Sequence, residues 1–119
     1  MSTNDTKLNG LTSYLETLIG EYNGTISSAM SEMEKFNISE KDYRKESINL
    51  SVASFTLAFL EKALEIAKDT GYKAAENYIR FHKHQLETKA TGDEYSPINI
   101  AQNATISAFS TIIALYLDK

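Results

Sequence analysis

The sequence predicts an all-α protein, an antiparallel four-helix bundle, and three observations carry that expectation. Apolar residues recur at helical steps through four long segments. Turn residues are scarce, with 5 glycines and 1 proline in 119 residues, where an all-β chain would need many more. The 42% apolar and 24% charged contents are those of a chain that folds around a core, and this length suits one domain, here 8–119, without staples. Residues 1–7 are polar and are expected to be a disordered N-terminus.

The first segment, 8–36, carries the stripe Leu11, Leu15, Leu18, Tyr22, Ile26, Ala29, Met33 and Phe36. Gly20 and Gly24 lie inside it and weaken a helix. The stripe keeps its phase across them, so one continuous or kinked helix is favoured. Ser39 with Glu40 and Asp42 reads as a cap followed by acids in the first turn. The second segment, 40–70, has a seam of Leu50, Ala53, Leu57, Leu60, Leu64 and Ala67, and a second apolar row of Val52, Phe55, Phe59, Ala63 and Ile66. A helix apolar over so much of its girth should be central. Gly71 stops it. The third segment, 72–90, has the stripe Tyr72, Ala75, Ile79, His82 and Leu86, with Gly92 as its stop. Ser96-Pro97 starts the fourth, 97–117, with serine as cap and proline at the first helical position. Short connections make consecutive helices antiparallel.

Composition removes several functions. With no cysteine, disulfides, thiolate zinc sites and thiol nucleophiles are excluded. No apolar leader follows Met1, so a cytoplasmic location is expected. The formal charge of -4 argues against a general nucleic-acid binder. Ile66-Ala67-Lys68-Asp69-Thr70-Gly71-Tyr72 resembles the turn of a helix-turn-helix motif, which would aim Lys73, Arg80 and Lys83 at phosphates. However, Asn77 stands where that motif buries an aliphatic residue.

The residues that carry chemistry are equally unpromising. His82 and His84 sit about 200° apart on a helix and cannot share a metal. No Glu-x-x-His pair, nucleophile elbow or glycine-rich phosphate loop occurs. Glu61, Glu65, Glu76 and Glu87 beside Lys62, Lys68, Arg80 and Lys83 read as solvated ion-pair faces. The expectation is no enzyme, no cofactor and no metal.

The last segment is the informative one. From Ser96 to Leu117 no residue is charged, and apolar residues spread over all sides near the end. Asn99, Gln102, Asn103, Ser107, Ser110 and Thr111 are the candidates for an outer face. Such a helix is either internal, or covered by a second molecule, or inserted in a membrane. Insertion needs about 20 predominantly apolar residues, and the amides and hydroxyls here dilute that content. Cover by a second copy, as a homodimer or higher homo-oligomer, is the favoured reading, through Ala101, Ala104, Ala108, Phe109, Ile112, Ile113 and Tyr116. The functional expectation is a non-catalytic interaction protein that self-associates through its second and fourth helices as a structural or scaffolding subunit. The alternative is a monomeric acidic protein that neutralises a partner, of the antitoxin, immunity or chaperone kind.

Overall fold

The computed structural model describes residues 3–89 and 96–118. They form helices α1 (Thr3–Met33), α2 (Glu40–Asp69), α3 (Tyr72–Lys89) and α4 (Pro97–Ile112), the last running on into a π-helical turn, Ile113–Leu117. The helical bundle is thus as the periodicity predicts, with different ends. α1 begins at Thr3, inside the segment expected to be disordered. It stops at Met33, so Phe36 leaves the stripe and stands fully in solvent. Gly92 lies outside the described residues.

The caps explain the boundaries. Ser39 Oγ accepts from the Asp42 N–H at 3.1 Å, opening α2. At the other end, the Thr70 and Gly71 N–H groups donate back to Ile66 O, at 2.8 and 3.2 Å. Gly71 holds φ at +114°, a conformation that a side chain resists. Its carbonyl then accepts from Ala75 N, so one glycine ends α2 and starts α3. Ser96 occupies the cap position of α4, but its hydroxyl makes no capping bond; Pro97 fixes that entry.

α2 is central, as its two apolar rows require. It packs against α1, α3 and α4, whereas α1 and α4 barely approach each other. Thr56 faces Thr105 across the α2–α4 contact. The end of α4 reaches Tyr14 and Tyr72, beside the end of α2. α4 therefore runs parallel to α2 and antiparallel to α1 and α3. Small residues are buried on both parallel helices, Ala53, Thr56 and Ala63 on α2 and Ala101 and Thr105 on α4, and Phe59 meets Phe109 edge-on between them at 5.9 Å. Thr105 Oγ1 donates to Ala101 O at 3.0 Å, so in the 2.9 Å contact between the two hydroxyls Thr56 is the donor.

The shared core draws on α1 only between Leu8 and Tyr22 and on α2 only between Phe55 and Ala67. α1 has 31 residues and α3 has 18, which at 1.5 Å per residue is about 46 Å against about 27 Å. The far part of the α1–α2 hairpin consequently projects as a two-helix arm, and the molecule measures 56 × 30 × 20 Å.

At the opposite end the π turn changes the register. The α4 core row runs Ala101, Thr105, Phe109, Ile112 and then Leu117, a final step of five. The Asp118 N–H donates to Ile113 O at 2.8 Å, the five-residue closure of a π turn.

Two predictions follow from this packing. A Cβ added at Gly20 or Gly24 meets nothing within 4 Å, and both lie inside the continuous α1. Gly20→Ala and Gly24→Ala should each raise unfolding free energy by about 0.5–1 kcal/mol; a loss of stability in urea titration would show that these glycines serve close helix packing. Thr105→Val leaves the Thr56 hydroxyl without its acceptor and should cost about 1–3 kcal/mol. The double variant with Thr56→Val should recover most of that loss, and a loss equal to or larger than that of Thr105→Val would refute this account of the pair.

Candidate functional site

α1 and α4 stand apart along a groove. Tyr14, Leu18 and Tyr22 form its α1 wall; Ala104, Ser107, Ala108 and Thr111 form its α4 wall, enclosing about 350 Å³. The α1 residues recur every four positions and the α4 residues at three- and four-residue steps, so each wall is one helical stripe. The groove is closed at one end, where the Tyr14 and Tyr116 rings lie 4.8 Å apart. Tyr116 is held there by its own carbonyl, which accepts from Tyr72 Oη at 3.1 Å. Arg80 then clasps the tail, with Nη2 at 2.6 Å from Asp118 Oδ1 and Nε at 3.0 Å from Glu76 Oε2.

No formal charge lines the groove. Burial and then the neighbouring Tyr116 push the Tyr14 phenol above its ordinary value, and burial followed by Glu21 does the same for Tyr22. Both phenols therefore stay neutral near pH 7. Glu21 stands on an adjoining hollow with Leu18, Tyr22 and Thr25. The Thr111 hydroxyl donates to Ser107 O at 3.1 Å, one turn back on its own helix, so it presents no unsatisfied proton to an occupant.

The expected association residues divide. Ala101, Phe109 and Ile112 are buried in the core of their own chain and offer a second molecule nothing. They form the row by which α4 seats on its own bundle, a role the uniform apolarity of the segment concealed. Ala104 and Ala108 are half-buried on the groove wall. Ile113 and Tyr116 are half-buried against the core. Of the expected outer face, Asn103, Ser107 and Thr111 are exposed, Gln102 and Ser110 are intermediate, and Asn99 is buried and bonded. Ala114 and Leu115 continue the exposed side beyond the π turn. Pro97–Leu117 is also long and apolar enough to cross a membrane, with a mean hydropathy of 1.4 and 28% of it buried.

Elsewhere the surface carries scattered large side chains. Phe36 is at the hairpin tip, Met30 and Tyr43 are half-exposed on the arm, and Phe81 is exposed on α3. Asn77 is exposed, and α3 folds back along α2 rather than crossing it as a recognition helix does. Among the described residues no three acidic, histidine or cysteine side chains converge as metal ligands would.

No protein-family model, curated protein or solved structure matches this chain.

His82 offers a pH handle. Its ring lies 4.3 Å from Tyr78, 5.1 Å from Phe81 and 5.5 Å from Phe59. Burial, and then the charge of Lys89, hold its pKa below the ordinary 6.5. The unfolded chain then takes up a proton that the fold refuses, so this contribution to stability is complete above about 6.5 and declines as pH falls through that value toward the lowered one. Urea midpoints should therefore drop more between pH 7.5 and 5.5 in the native chain than in His82→Gln; equal drops would dismiss the linkage.

Proposed function

We propose that this chain is a small, non-catalytic helical-bundle protein that self-associates as a structural or scaffolding subunit. The observation that supports it is the uncharged, half-open side of α4. Asn103, Ser107, Thr111, Ala114 and Leu115 face solvent with no charged residue between Ser96 and Leu117. A solvent-facing helix of a soluble bundle normally carries charge there. Covering that side removes apolar surface from water and buries no ion, the two conditions for favourable association.

The acidic side chains found together support structural roles rather than chemistry. Burial pushes the Glu76 carboxyl up, but hydrogen bonds from Lys73 and Arg80 outweigh it and hold the pKa below its ordinary value. The group remains an ionised clasp for the chain's end.

Light scattering coupled to size exclusion tests the reading. The native chain should elute with the mass of a dimer or higher oligomer, and dilution should leave a defined equilibrium rather than a spread of aggregates. A strict monomer at every concentration would end it and favour the partner-neutralising alternative.

A further inference from the structure

We infer that the α1–α4 groove is the seat of a two-fold dimer in which each copy's α4 lies antiparallel against its mate, with the symmetry axis near Ser107. The inference rests on the self-association reading and specifies its surface. The occupant is identified by charge. A charged side chain pressed into this groove would be desolvated with no counter-ion, at a cost of several kcal/mol. The groove walls are Tyr14, Leu18 and Tyr22 on one side and Ala104, Ser107, Ala108 and Thr111 on the other. Helices α1, α2 and α3 all carry charged residues on their exposed sides, whereas α4 carries none. Within this chain, then, the helix that best fits the groove is the one that forms its wall. A surface matched to itself in this way closes as an isologous pair.

The register follows from the exposed row. Asn103, Ser107 and Thr111 succeed one another every four residues, with Ser107 in the middle, so an axis there places Asn103 of each copy near Thr111 of the other. Ala104 and Ala108 keep the wall low where the mate's backbone approaches. On the α1 side, Leu18 and Tyr22 would complete the seat, residues that read from the sequence as ordinary core.

The absence of cysteine makes the test direct. Ser107→Cys and Phe36→Cys each give a chain with a single thiol, one at the inferred axis and one fully exposed at the hairpin tip. Under a mild oxidant, Ser107→Cys should form a covalent dimer at least roughly tenfold faster, because the two thiols are held at high effective concentration. Thr111→Lys, on an exposed position, should keep the helical circular-dichroism spectrum and elute as a monomer. A native oligomer in which both thiols couple equally slowly, or in which Thr111→Lys keeps the oligomeric mass, would overturn the groove as the seat and leave self-association standing. A native monomer overturns both. A monomer that binds vesicles of phosphatidylcholine and phosphatidylglycerol, and loses that binding on Thr111→Lys, would overturn the dimer in favour of a lipid surface.

Discussion

The close parallel contact of α2 and α4 is the constraint on which the remainder of the architecture depends. α4 seats on the central helix through the edge-on contact of Phe59 with Phe109 and through the polar pair Thr56 and Thr105, which satisfies itself. A buried hydroxyl without a partner would cost about 1–3 kcal/mol. Seated there, α4 also packs on α3 and stands away from α1. The groove is thus the geometric counterpart of a tight contact elsewhere, and its closed end is fixed by the Tyr14–Tyr116 pair.

That arrangement gives the last helix two unlike sides. One is the row Ala101, Thr105, Phe109, Ile112 and Leu117, sealed against its own chain. The other is neutral, mildly polar and half-open. Among the described residues the charged side chains lie on the other three helices, on the loop after α1 and on the tail, and Arg80, Glu76, Lys73 and Asp118 form a connected surface network. Single exposed pairs such as Lys68 with Glu16 contribute little. The network's value is positional, since it fixes the end of the chain that closes the groove.

Much of this fold was legible because helix periodicity and end signals are local properties. The stripe of α1, both rows of α2, the Ser39 cap and the Gly71 stop each depend on residues within a turn or two of one another. Placement of the seven expected contact residues depended on something non-local, namely which side of an evenly apolar helix meets its own bundle. Ala101, Phe109 and Ile112 could not be told from Ala104 and Ala108 by hydropathy. Thr56 and Asn99 were missed for the converse reason: a polar residue reads as outward unless its hydrogen-bond partner, which pattern alone does not reveal, is known. The π turn was invisible as well. Its extra residue is why apolar side chains near the end seem to point everywhere, since the core row advances by five from Ile112 to Leu117.

The two-helix arm has a thermodynamic consequence. Beyond Tyr22 and before Phe55 the hairpin contributes no residue to the shared core, so the backbone hydrogen bonds toward its tip have less packing behind them. Cooperativity fades with that support. Amide protection should therefore be graded along the long axis, deepest around Leu15, Leu60 and Phe109 and shallowest at the loop joining the first two helices. The molecule behaves less as a uniform solid than as a rigid grip with a looser handle, able to breathe at one extremity while the other stays shut.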